Sequence, residues 1–290
     1  MLTRKWILRD RVRSLIIAAT VVTLGVLPGQ LASAQSAFSP SAGASSLRSA
    51  TDKPTVVFVH GDWADGSSSW TTEVARLQEL GFAVRVPANP LRGPNEDAAY
   101  IASFLKSIAG PIVLVAHSYG GFVITNAATG NPNVKALVYV DAFIPDLGQK
   151  FTDLASGSCV GGDPTKTFSF VPFPGGVDLY LQFAPNPPYP GFAQCFANGV
   201  DEEQIPVLWA TQRPASINEF SAVSGPPAWE TIPSWDLIGT EDHVIPEADQ
   251  RAMAATAHAH ISTFHAGHLG LITKPDVVVD VVLRAIRATS

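Results

Sequence analysis

From Thr55 onward, short apolar runs alternate with stretches whose apolar residues recur every third or fourth position. The runs at 55–59, 83–86, 111–115, 136–140, 234–239 and 259–264 predict buried strands. Between them, Trp70, Val74, Leu77 and Leu80 share one helical face, and Gly81 closes that helix. Ala98, Ile101, Leu105 and Ile108 mark a second helix, stopped by Gly110-Pro111. Further helices are expected from Phe122 to Ala128, from Pro246 to Ala257, and from Pro275 through Val278, Val281, Leu283 and Ile286. Alternating strands and helices predict a mostly parallel sheet with helices on both faces. No internal repeat is present.

The rhythm breaks at 145–233, which is dense in Pro, Gly and aromatic residues. So long an interruption of an α/β pattern reads as an inserted lid. At the other end, Arg4, Lys5, Arg9, Arg11 and Arg13 precede an apolar stretch from Leu15 to Leu27, and Ala32-Ser33-Ala34 is a small-x-small cleavage site. Residues 1–34 therefore read as a signal peptide, too short in its apolar part for a comfortable membrane span. Residues 35–52, rich in Ser and Ala, read as a flexible leader. Residues 53–290 suffice for one large α/β domain.

Removing 1–34 takes away five basic side chains and one acidic one, so the formal charge falls from −6 to −10. An acidic mature chain argues against nucleic-acid partners, and no stable membrane span remains after cleavage. The expected localisation is secreted or periplasmic. In such a compartment the two cysteines, Cys159 and Cys195, are disulfide candidates, with two separate buried thiols as the alternative. Their spacing fits no thiol-metal site.

The chemistry concentrates at Val115-Ala116-His117-Ser118-Tyr119-Gly120-Gly121, between a predicted strand and a predicted helix. A strand–serine–helix turn with small neighbours holds the hydroxyl on a strained corner above a helix N-terminus. Ala116 stands where such an elbow usually carries its first glycine. The serine needs a base and the base an orienting acid, in the order Ser, Asp or Glu, His. Asp242 and His268 each follow a predicted strand and supply that order with Ser118. Asp141 and Glu241 compete for the acid position, and His265 for the base. The backbone N–H groups of Asp62 and Tyr119 are the expected oxyanion donors. His60 reads as a brace of the Asp62 loop, and Trp63 and His117 as candidates to line a substrate pocket, with shaping of the elbow as the other role for His117.

Together these residues resemble the α/β-hydrolase superfamily from about Pro54 to the C-terminus, most of 145–233 excepted. The blocks 58–70, 115–121, 137–143 and 240–245 are similar to a bacterial serine-esterase group related to the plant methyl-esterase and hydroxynitrile-lyase branch. The resemblance implies Asp242 and His268 as the partners of Ser118. Asp62 departs from it, since a small or apolar residue is commoner there. A carboxylate so close to the oxyanion site could oppose negative charge or contact a polar substrate.

The expected function is an exported serine carboxylesterase for small to medium esters, acting through an acyl-serine intermediate without metal or cofactor. The aromatics of the insertion suggest an apolar pocket. The expected partner is a small-molecule ester, and the pattern carries no signal for a particular oligomeric state. Lyase-like C–C cleavage and lactone or amide cleavage are alternatives on the same fold. A lyase of this branch relies on a lysine, and only Lys150 and Lys166 lie in the insertion. A non-catalytic binding protein is the remaining alternative, although every catalytic role has a candidate here.

Overall fold

A computed structural model describes residues 53–154, 156–183 and 191–290. The expected signal peptide and leader lie outside the described residues. The strands are β1 (Thr55–Val59), β2 (Ala83–Arg85), β3 (Ile112–Ser118), β4 (Val134–Ala142), β8 (Ser234–Gly239) and β9 (His260–Phe264). They form one parallel sheet in the order β2-β1-β3-β4-β8-β9. Every residue of β3 and β8 is buried, as is all of β4 except Lys135. This two-sided burial explains why the central strands are unbroken apolar runs, with no polar alternation.

The sheet is covered by α1 (Gly66–Glu79), α2 (Pro94–Lys106), α3 (Tyr119–Ala127), α6 (Glu247–Thr256), α7 (Gly270–Thr273) and α8 (Pro275–Thr289). α1 packs with α8, which lies along β3, β4 and β8, while α2 packs with α3, which lies along β1, β3 and β4. Asp65 starts α1 through a capping box. Its Oδ1 accepts from Ser67 N at 2.8 Å and Ser68 N at 2.7 Å, and Ser68 Oγ accepts from Asp65 N at 3.1 Å. Trp70 and Leu77 are fully buried, as their spacing predicts. Leu80 lies beyond the helix and is half exposed, because the chain turns away at Gly81 before it can reach the core.

The segment between β4 and β8 is more regular than its composition suggests. β5 (Phe168–Phe173), β6 (Gly176–Leu181) and β7 (Ala215–Ser216) form a separate antiparallel sheet, β6 in the middle. Phe173 pairs with Gly176, so Pro174-Gly175 is the hairpin loop, with Gly175 at φ 104°. Pro172 lies on the edge strand, where a missing N–H removes no bond to a further strand. α4 (Pro164–Thr167), α5 (Ile205–Ala210), a π-helical turn at Phe192–Phe196 and a 3₁₀ turn at Ile217–Ser221 complete the segment. No helix among the described residues is long and apolar enough to cross a membrane.

Candidate active site

Ser118 ends β3 and caps α3, with φ 54° and ψ −130°, a conformation that costs a non-glycine residue free energy. The turn is fixed by close approaches around it. A Cβ at Gly120 would lie 2.7 Å from Val59 O, and one at Gly121 would lie 2.4 Å from Phe143 O. A Cβ on Gly61 would lie 2.7 Å from the Ser118 Cβ, so the loop after β1 rests directly on the serine. Ala116 is fully buried, and its methyl group fits where the elbow usually has hydrogen.

The structure brings Ser118, His268 and Asp242 together. His268 Nε2 lies 2.9 Å from Ser118 Oγ, and His268 Nδ1 lies 2.8 Å from Asp242 Oδ2. A carboxylate only accepts, so the imidazole donates from Nδ1 and leaves Nε2 to accept the serine proton. Asp242 is held firmly: Oδ1 accepts from Val244 N at 2.8 Å and Ile245 N at 2.9 Å, and Oδ2 also accepts from Gln250 Nε2 at 2.9 Å. Gln250 is a contributor that the sequence did not announce, one glutamine within an otherwise ordinary helix.

The competing groups lie elsewhere. Asp141 Oδ1 accepts from Gly239 N at 2.6 Å. Burial, reinforced by the neighbouring Asp242, pushes its pKa well above the carboxylate range, so Asp141 is neutral. Glu241 and His265 face each other on the surface, 3.5 Å apart. His265 falls one residue beyond β9, and its side chain is largely exposed.

His117 does not line the pocket. It is fully buried behind His268 and donates from Nε2 to His268 O at 2.8 Å. It is a strand residue whose side chain points beneath the elbow, and burial drives its pKa well down, so the ring stays neutral. His60 braces the neighbouring loop, donating from Nδ1 to Gly61 O at 2.9 Å and accepting from Asn89 N at 3.1 Å. Burial lowers its pKa to about 4.

A cavity of about 160 Å³ opens on Ser118, with Asp62, Trp63, Phe143, Phe168 and Glu219 in its walls. Trp63, at φ 53°, is anchored by Nε1 donating to Leu179 O at 2.9 Å and stacks on Phe168, centroids 5.7 Å apart. The backbone N–H of Tyr119 is at the first residue of α3, where no intrahelical acceptor exists. The Asp62 N–H takes no part in the loop bonds, whereas that of Trp63 donates to Arg213 O at 2.9 Å. Neither Lys150 nor Lys166 lines the cavity. Cys159 and Cys195 form a disulfide with Cα atoms 5.8 Å apart. It ties the cavity-lining pair Ser158 and Val160 to the turn carrying Phe196, whose ring packs against His268 at 5.2 Å.

The carboxyls of Asp62 and Glu219 are both buried and adjacent, placed for a hydrogen bond from one to the other once one of them is protonated. Burial, opposed by that bond and reinforced by Asp97, raises the Asp62 pKa to about 7. Burial and the adjacent Asp62 hold Glu219 well above the usual range, so Glu219 carries the proton. Glu219 carried no sequence signal, because it lies in the aperiodic segment.

A profile of the alpha/beta hydrolase family matches residues 56–281. A carbendazim hydrolyzing esterase from Nocardioides sp. (strain SG-4G) is 32% identical over 114 residues, which is 34% of this chain and 46% of that protein. The chain thus spans about half the length of that relative. An extracellular alpha/beta-hydrolase from a Paenibacillus species, described as sharing homology with Tobacco Salicylic Acid Binding Protein 2, superposes with a TM-score of 0.64 at 20% identity. That alignment covers 80% of this chain and 98% of the other. Polyneuridine aldehyde esterase superposes with a TM-score of 0.63 at 18% identity, covering 80% and 98%. A sheet of this order, an elbow at its third strand and a family match spanning the domain lead to one conclusion: the chain belongs to the alpha/beta hydrolase family.

Proposed function

We propose that this hydrolase is an exported serine carboxylesterase for small to medium esters. The observation that supports it best is the unbroken hydrogen-bond chain Ser118–His268–Asp242 ending on a mostly apolar cavity. In this reading Ser118 Oγ attacks the acyl carbon and His268 takes its proton at Nε2. Asp242 stabilises the imidazolium. The N–H groups of Asp62 and Tyr119 receive the oxyanion, each such donor being worth roughly 10²–10³ in turnover. As the ester C–O bond breaks, His268 returns the proton to the departing alcohol oxygen. The acyl-serine left behind is hydrolysed by water activated by the same histidine, which releases the acid and restores Ser118. The cavity volume is close to that of an engineered void of about 150 Å³ that admits benzene, which suits a short acyl or alkoxy group. Export is supported by the Cys159–Cys195 bridge and the N-terminal pattern.

The test is hydrolysis of p-nitrophenyl esters of graded acyl length, beside Ser118→Ala. Turnover of short and medium chains, reduced at least about 10⁴-fold in the variant, is expected. Turnover that survives Ser118→Ala would refute the serine mechanism. Absence of both turnover and organophosphonate labelling at Ser118 would favour a binding protein.

A further inference from the structure

Ester hydrolysis asks only for the backbone N–H of Asp62, yet this cavity-lining residue beside Ser118 also carries a buried carboxyl. It is 3% exposed, and Glu219 is fully buried. An ionised carboxylate has about four accepting positions. Asp242 accepts four hydrogen bonds, whereas among the described residues no backbone N–H and no side chain other than Glu219 is placed to donate to Asp62. Asp62 Oδ1 and Glu219 Oε2 are both buried without an ordinary donor. Nor is there a counter-ion. Among the described residues no basic side chain pairs with either carboxyl. Arg92 is bound to Asp178 at 2.8 Å, and Arg213 lies against His60 at 3.3 Å. The other ionisable groups facing the pair, Asp97 and Tyr119, are acids themselves, bonded to each other at 2.7 Å.

The rest of the wall is aromatic. Trp63, Phe143, Phe151, Phe168 and Phe220 line the same cavity. Ring faces attract a cation through their quadrupole, and more strongly where water is excluded. A carboxylate whose one neighbouring donor is Glu219 and a set of rings therefore converge on one small space.

We infer that the Asp62–Glu219 pair and these rings form a subsite for an organic ammonium group, so that the preferred substrates are esters carrying a protonated amine on the part that enters this cavity. The inference rests on the ester-hydrolase reading. Glu219 keeps its proton and donates it to Asp62, which accepts from the ammonium N–H with its remaining lone pairs. The cation also neutralises a carboxylate that would otherwise oppose the oxyanion forming next to it. A neutral ester of the same shape does neither.

The experiment compares kcat/KM for 2-(dimethylamino)ethyl acetate with that for 3-methylbutyl acetate, which has the same shape with carbon in place of nitrogen. At pH 8 the wild-type protein is expected to favour the ammonium ester by about tenfold or more. In Asp62→Asn the ratio falls to about twofold or less, and a ratio measured within one protein is independent of how much of it folds. A second arm needs no variant. Between pH 8 and pH 6 the wild-type preference declines, because Asp62 takes up its proton near pH 7 while the substrate remains an ammonium. Equal use of both esters at every pH would overturn the subsite while leaving the esterase intact. So would a preference unchanged in Asp62→Asn, or refusal of both esters by a protein that hydrolyses p-nitrophenyl acetate. Loss of all three activities would instead strike the ester-hydrolase reading.

Discussion

The two walls of the cavity are built differently. On the sheet side, each group of the proposed triad leaves the carboxyl end of a parallel strand, where open α/β sheets carry their sites. Every oxygen of Asp242 is hydrogen-bonded, and the ring of His268 is used at both nitrogens. On the other side, the segment between β4 and β8 contributes rings, one disulfide and Glu219, which faces an incompletely bonded Asp62. The contrast suggests a division of labour. Full hydrogen bonding fixes geometry, which proton transfer requires. Incomplete hydrogen bonding leaves capacity for a substrate, at a cost to stability.

The largest effect that could break this comparison is on the sheet side. Asp242→Asn keeps the shape but presents an amide to His268, so the imidazole is no longer held with its proton on Nδ1. Turnover is expected to fall about 10⁴-fold with little change in melting temperature. A loss below tenfold would show that the sheet-side wall does not carry the reaction.

The next effect tests what holds the opposite wall. Cys159→Ser opens a bridge between residues 36 apart in sequence. On the chain-entropy account this costs about 3–4 kcal/mol, read from denaturant unfolding under oxidising conditions. Because Ser158 and Val160 flank Cys159, KM is expected to rise more than kcat falls. The reverse split would mean that the bridge supports the elbow as well.

The smallest effect sharpens the comparison through pH. The Asp62 pKa is raised from 3.8 to about 7 in the fold. Over that range the folded state keeps a proton that the unfolded chain releases, so this carboxyl costs stability progressively as pH rises from about 4 to about 7. Asp62→Asn should therefore raise the melting temperature at pH 8, by an amount worth about 1–2 kcal/mol, with the gap closing towards pH 4. No gap at pH 8 would mean that the carboxyl is already compensated inside the protein, and that the insertion side is as complete as the sheet side.

The strands of the main sheet were legible because they are buried on both faces, which forces continuous apolar runs between helical stretches. The serine elbow was legible because a sharp turn under close packing tolerates only small residues, and Gly120 and Gly121 sit against backbone oxygens. Asp242 and His268 were legible because chain order and strand ends limit the choices. The position of His117 was not. Its neighbour is Ser118, yet a strand sends successive side chains to opposite faces, and His117 ends under His268 instead of in the cavity. In the segment at 145–233, prolines and glycines hid a hairpin, because local composition cannot reveal that Pro172 falls on an edge strand.

By itself, then, the chain determined the sheet, the elbow and the residues able to complete it, since each depends on neighbours in sequence or on strict periodicity. Only the tertiary structure decided which rings close the cavity, that Gln250 holds the acid facing His268, and that Glu219 lies beside Asp62 across 157 positions of chain. Contacts at such separations arise from how elements pack, and short-range pattern carries no trace of them.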